Sequence, residues 1–227
     1  MKFYVVGTPI GNLEDITFRA VAVLSSVDLI LCEDTRVTSR LLERYSIQTP
    51  TMSFHSQSKL QKIDKIISFL QEGKNVALVS DAGTPTISDP GAILVAKIRE
   101  QVESVEIIAI PGPSAVASAL SVAGLPASNF LFLGFLPHKK GRMTLFNEIE
   151  ESKRTIVFYE SPHRILKTLE VLAESIDETR KVVVCREMTK VFEQVISGNS
   201  SEILAYFNAN SDKVRGEFVV VVGAKTH

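Results

Sequence analysis

Val76-Ala77-Leu78-Val79-Ser80-Asp81-Ala82-Gly83-Thr84-Pro85-Thr86-Ile87-Ser88-Asp89-Pro90-Gly91 runs from buried-type aliphatics through small and hydroxyl residues into a helical pattern over 91–100. A short Val/Leu run that gives way to Gly and Pro reads as a strand of a parallel sheet. The unit recurs. Lys2–Val6 leads into Gly7-Thr8-Pro9-Ile10-Gly11-Asn12, and residues 105–110 lead into Pro111-Gly112-Pro113-Ser114-Ala115. Residues 28–31 form another apolar run. Leu60, Ile63, Ile67 and Leu70 recur at helical spacing, with Lys59, Lys62 and Lys65 between them. Strands alternating with helices predict an α/β layer structure with right-handed crossovers.

The second half predicts strands at 130–136, 155–159, 181–186, 192–197 and 217–222, and helices at 142–150, 163–174 and 201–207. Its sheet is expected to be mixed. The Ile110-Pro111-Gly112-Pro113-Ser114 segment reads as a joint, which gives two α/β domains, 1–111 and 112–227.

Composition fits an ordinary globular chain: 227 residues, 45% hydrophobic, 22% charged, formal net charge −1. A near-neutral chain does not coat nucleic acid by bulk electrostatics, although a local basic patch remains open. Cys32 and Cys185 each end an apolar run and read as small core residues, not a bridge or metal ligands. No apolar stretch approaches the roughly 20 residues of a membrane span, and the N-terminus lacks a signal-peptide pattern. A cytoplasmic protein without a resident metal is expected.

The junctions carry the chemistry. Glu160-Ser161-Pro162-His163-Arg164 after residues 156–159 is a fourth, expected to share the sheet edge of the other three. Asp89 before Pro90 and Ser161 before Pro162 read as helix N-caps with Pro at the first helical position. One Gly-Pro turn is punctuation; four long Gly/Pro/Ser/Thr junctions at strand carboxyl ends point to a small-molecule site. Neither a Gly-x-Gly-x-x-Gly nor a Gly-x-x-x-x-Gly-Lys loop occurs, which removes nucleotide-phosphate chemistry.

These loops resemble a known family. Val6-Gly7-Thr8-Pro9-Ile10-Gly11-Asn12-Leu13 and the stretches 80–91, 111–115 and 216–223 look like the successive motifs of the tetrapyrrole methylases, from residue 2 to about residue 223. The resemblance implies two α/β domains of the class III methyltransferase type, S-adenosylmethionine (SAM) in a cleft between them, and a homodimer. Cys32-Glu33-Asp34-Thr35-Arg36, Ser80-Asp81-Ala82-Gly83-Thr84-Pro85, Tyr159-Glu160-Ser161-Pro162-His163-Arg164 and Arg186-Glu187-Met188-Thr189-Lys190 are similar to one branch. That branch methylates a cytidine ribose 2′-hydroxyl in 16S rRNA of the 30S ribosomal subunit. Its bacterial members commonly continue into a small C-terminal segment, whereas this sequence ends at His227.

By motif, the resemblance places SAM on Pro9, Ile10, Ala82, Gly83, Thr84, Ile87, Ser114 and Ala115, with Glu160 and Gly198 at its methionine or adenosine portion. Tetrapyrrole-modifying members carry Asp where Thr84 stands. Small residues suit close approach of backbone to a ligand.

Transfer to a ribose hydroxyl calls for a base. Candidates are Glu33, Asp34, Asp81, Glu160 and His163; Glu33 and Asp34 read equally as a cap or partner of Arg36, and His163 as a solvent-facing residue. For RNA, Arg36, Arg40 and Arg44 fall at i, i+4, i+8 and form one helical stripe. Lys139, Lys140 and Arg142 form a second basic cluster, and Arg164 beside His163 a third. The plain alternative for each is a solvated surface. A corrin or porphyrin methylase of the same fold has no use for an arginine stripe, and a SAM-binding module without transfer would leave no positive potential beside its cleft.

Overall fold

The computed structural model describes residues 1–55, 60–88 and 91–225. The chain forms two compact units, Met1–Ser114 and Ala115–His227.

The first unit runs β1 (Lys2–Val6), α1 (Phe18–Ser26), β2 (Leu29–Cys32), α2 (Thr35–Arg44), β3 (Thr51–Ser53), α3 (Leu60–Gln71), β4 (Val76–Leu78), α4 (Gly91–Gln101) and β5 (Glu106–Ile110). All five strands are parallel, in the order β3-β2-β4-β1-β5. A parallel sheet must be covered on both faces, and two apolar clusters do this. Phe3, Leu31 and Leu78 meet Ile66, Leu70, Leu94 and Ile98 on one face. Val6, Ile30 and Ala77 meet Ala20, Leu24 and Leu42 on the other. The pattern assigned to α3 is corrected at one position: Ile66 is buried whereas Leu60 stands exposed. Lys59 and the Asp89-Pro90 cap lie outside the described residues.

Two elements here carried no sequence signal. Helix α1 is set by the Thr17 side chain, which accepts the Ala20 N–H at 3.1 Å, but its first residue, Phe18, is almost fully exposed and blurs the apolar stripe. Strand β3 is three residues long and shows no alternation.

The second unit runs α5 (Ala115–Val122), β6 (Phe130–Phe135), α6 (Arg142–Glu151), β7 (Thr155–Glu160), α7 (Ile165–Ser175), β8 (Val182–Arg186), β9 (Gln194–Gly198), α8 (Ser200–Ala209) and β10 (Phe218–Val222). Its sheet is mixed, as expected: the order is β6-β7-β10-β8-β9, with only β6 and β7 parallel. Central β10 is buried throughout and packs with Phe146, Phe158, Leu169 and Phe207.

Two expectations are corrected. The junction after β7 belongs to this second sheet, so three junctions, not four, share the edge of the first. Ser161 does not cap α7 through its side chain. Its carbonyl accepts the N–H groups of Arg164 and Ile165 at 3.1 and 3.0 Å, Pro162 lies in the resulting turn, and the helix begins at Ile165.

Candidate functional site

In the first sheet β4, β1 and β5 are neighbours and parallel, so the loops after them emerge side by side at one edge. The loops after β1 and β4 are stitched together: the Thr8 N–H donates to the Gly83 carbonyl at 2.9 Å and the Gly83 N–H returns to Thr8 at 3.1 Å. The buried Thr8 hydroxyl donates to the Ser80 carbonyl at 3.1 Å. The loops after β1 and β5 approach even more closely. A Cβ on Gly7 would stand 2.8 Å from Gly112 Cα, so both positions require glycine. Thr8 and Gly112 were not singled out from sequence. The only signal was that two glycine-bearing loops follow strands, and pairing those loops requires the strand order.

Pro9 and Ile10 are buried behind this edge, Ala82 is exposed, and Thr84 and Ser114 are half-buried. Gly83 has φ +81°, and a Cβ there would lie 3.4 Å from Ile10 Cγ2. Ile87 stands 51% exposed between Thr86 at φ 76° and Ser88 at φ 66°. Two non-glycine residues in the left-handed region are costly, and such strain persists where the surroundings impose it, often at ligand sites. An aliphatic side chain held in solvent by that backbone fits an apolar ligand surface. Ala115 is the first residue of α5 in the second unit.

Beside the β4 loop, β2 ends in Cys32-Glu33-Asp34. Asp34 is the N-cap of α2: its carboxylate accepts the Arg36 N–H at 2.8 Å and pairs with the Arg36 guanidinium at 2.6 Å. The Arg36 side-chain and backbone hydrogen bonds hold the Asp34 carboxyl down at about 2. Asp81 Oδ1 accepts the Asp34 N–H at 3.0 Å. Arg36, Arg40 and Arg44 are all exposed, opposite buried Thr38, Leu41 and Leu42. Arg44 has a long 3.8 Å pair with Glu14, and Arg40 has no ion pair among the described residues. Glu33 is half-buried. Burial raises the pKa of the Cys32 thiol, in keeping with a core residue, and Cys185 is buried as well.

The second unit places several candidates differently. Glu160 is 1% exposed. It pairs with Arg164 at 2.7 Å and Arg142 at 3.5 Å, and accepts the Thr168 hydroxyl at 2.7 Å and the Ser161 N–H at 2.8 Å. Both oxygens are engaged inside the protein, so the Glu160 carboxylate is not an available base; it is the centre of a buried charge cluster. Arg142 and Arg164, expected to face RNA, are instead its partners, with side chains 11% and 16% exposed. They also donate to the Pro137 and Leu136 carbonyls at 3.3 and 2.7 Å. Lys139 and Lys140 in the adjoining loop, and His163, are exposed. Gly198 ends β9, where a Cβ would meet Glu202 Oε2 at 2.7 Å. Its smallness therefore serves the Asn199–Glu202 capping box of α8. Among the described residues no cluster of metal-ligating side chains occurs, and no helix is long and apolar enough to cross a membrane.

Comparison with known proteins matches residues 2–204 to the tetrapyrrole (corrin/porphyrin) methylases. The chain is 47% identical over 224 residues to the ribosomal RNA small subunit methyltransferase I of Thermotoga maritima, covering 99% of each. It is 46% identical to the proteins of that name from Escherichia coli O157:H7 and Bacillus subtilis, covering 97% and 96% of this chain and 77% and 74% of theirs. Among solved structures, a diphthine synthase matches with TM-score 0.75 at 13% identity, over 99% of this chain and 90% of that one. The methyltransferase CobJ matches with TM-score 0.71 at 20% identity, over 98% and 93%. At those identities the likeness is one of fold.

Proposed function

This chain belongs to the tetrapyrrole methylase family, in its ribosomal RNA small subunit methyltransferase I branch, and from that premise we propose that it methylates the ribose 2′-hydroxyl of a cytidine in 16S rRNA. The observation that carries the reading is one connection at one sheet edge. Asp81, in the loop assigned to the cofactor, holds the N-terminus of α2, whose outer face presents Arg36, Arg40 and Arg44. A ligand loop is thereby tied to a phosphate-binding face.

The cofactor is SAM, which when bound supplies an activated methyl group and its own leaving group. Within the first unit, Ile10, Ala82, Gly83, Thr84 and Ile87 would hold it, with Pro9 and Ser114 shaping the approach. The strained, exposed Ile87 and the closed Gly7–Gly112 contact are the features of this chain that fit such a ligand. With SAM bound, the chain's own part would be to align the ribose hydroxyl with the activated methyl group and to take up the hydroxyl proton on a side chain. Alignment of the reacting atoms contributes most of the acceleration. Asp81 is the base assigned here: its residue is exposed and its hydrogen bond to Asp34 uses Oδ1. Asp34 is committed to the α2 cap and Glu160 is sealed. The resemblance also carries a cytoplasmic homodimer, and light scattering tests the dimer.

The test is labelled SAM with 30S subunits from a strain lacking the enzyme, followed by mapping of the labelled nucleotide. Label on one cytidine ribose is expected; SAM binding without rRNA labelling would overturn the reading. Arg36→Ala and Arg40→Ala should weaken RNA binding and flatten its salt dependence while leaving SAM affinity intact.

A further inference from the structure

We propose that the turn between β8 and β9 carries a separate RNA subsite, where one unstacked base lies on Phe192 and a neighbouring phosphate meets Arg215. The inference rests on the rRNA reading above and names a contact that reading does not use. The Arg186-Glu187-Met188-Thr189-Lys190 motif opens this turn, and none of the roles assigned so far accounts for it.

The turn is built to be rigid. Glu187 and Thr189 hold the left-handed region at φ 53° and 65°. Lys190 ties Glu187 to Glu217 at 2.9 and 3.0 Å, and the Thr189 N–H donates to Glu193 Oε2 at 2.6 Å. At its tip Val191 is 94% and Phe192 69% exposed. Behind it lies Arg186, buried, with no ion-pair partner among the described residues. Its guanidinium donates to the Arg215 carbonyl at 2.8 Å, the Phe192 carbonyl at 3.2 Å and Gln194 Oε1 at 3.2 Å. One buried cation therefore fixes the backbone of an exposed aromatic residue and of an exposed arginine relative to each other. Phe192, Arg186, Lys213 and Arg215 share the lining of an open cavity of about 390 Å³, within the range of small-ligand sites.

The chemistry favours a nucleotide over a protein surface. Even with Val195 of β9, three exposed apolar side chains are far less than the contiguous patch that marks a protein interface, and Val191 and Phe192 border cations. Three cations line the cavity against two carboxylates, Glu193 and Asp212, and Glu193 is engaged by the Thr189 N–H. Any base offers a π face to Phe192, and arginine suits its phosphate.

Phe192→Ala, Phe192→Trp and Arg215→Ala are compared with wild type on 30S subunits. Each leaves the backbone carbonyl that Arg186 holds, so the fold should survive, which the thermal midpoint checks. Expected are a KM for 30S raised about tenfold in Phe192→Ala with kcat and SAM affinity held, recovery in Phe192→Trp, and a salt slope of binding reduced by about one in Arg215→Ala. An unchanged KM in Phe192→Ala, an equal loss in Phe192→Trp, or dissociation of a dimer in Phe192→Ala would overturn the subsite. If wild type labels no rRNA, the functional reading fails by itself. Quenching of a 2-aminopurine oligonucleotide by wild type and not by Phe192→Ala would still support the platform; equal quenching would overturn it.

Discussion

Asp81 Oδ1 accepts the backbone N–H of Asp34 at 3.0 Å, so the loop after β4 holds the first turn of the helix that follows β2. The two strands are parallel neighbours, which is why residues 47 positions apart meet at one edge. Asp34 in turn fixes Arg36. Two carboxylates in succession thereby connect the β4 loop to the arginine face.

Two substitutions separate the roles of Asp81. Asp81→Asn keeps an oxygen for the Asp34 N–H and removes the proton acceptor. A fall in kcat of about 10²–10⁴ is expected, with SAM and RNA affinities within about twofold of wild type. Asp81→Ala also releases the α2 cap, so RNA affinity falls as well. Full turnover by Asp81→Asn at saturating 30S would remove Asp81 as the base.

Glu160 makes the opposite case, a charged motif residue whose role lies in folding. Glu160→Gln leaves Arg142 and Arg164 without their buried counter-charge. Removing one member of such a cluster costs about 3–5 kcal/mol, which lowers the thermal midpoint by about 10 °C in a chain of this size. SAM affinity measured by calorimetry well below that midpoint should not change. Weakened SAM binding with an unchanged midpoint would restore Glu160 to the cofactor site.

The sheets and most helices were legible because their apolar runs are long and their helical periods clear: α3, α7 and the Val-rich β8 and β10 follow directly from pattern. The loop edge was legible in part, since a parallel strand announces its carboxyl end through the Gly/Pro loop that follows. Strand order is not written in such local patterns, and so the β7 junction was placed on the wrong sheet. Burial of charge was equally hidden. Glu160, Arg164 and Arg142 have the residue types of a site, and only folding reveals that the arginine 18 residues upstream closes on the same carboxylate. Phe192 read as the start of a strand, because the reversal that exposes it depends on left-handed Glu187 and Thr189, which no residue type announces.

The Asp34 cap predicts a narrow acid dependence. Its folded pKa, about 2, lies below the ordinary value of about 3.9, so the unfolded chain binds more protons between those values and stability rises with pH across them. The contribution is complete above about pH 4 and is lost as pH falls towards 2. Asp34→Asn keeps a good N-cap without the charge. Its midpoint should sit about 1–2 °C below wild type at pH 5, small because the pair is exposed, and the gap should close by pH 2. A gap that stays constant with pH would show that the charge contributes nothing.

Gly7 and Gly112 offer the sharpest test of the cofactor edge, because their contact is backbone against backbone. Neither has a positive φ, so an alanine is not forced into the left-handed region, and the steric contact decides its effect. In Gly7→Ala the new Cβ would stand 2.8 Å from both Gly112 Cα and N, and no flexible side chain is available to yield. The loops after β1 and β5 must separate, at a cost of about 1–3 kcal/mol for overpacking. In Gly112→Ala the clash is with the Gly7 carbonyl at 2.8 Å, from the other side of the same contact. Both variants should lose stability and SAM affinity together while Arg36 and Arg40 still bind RNA. Calorimetry with SAM and a salt titration with RNA read the two independently. Wild-type SAM affinity in both variants would move the cofactor site away from this edge.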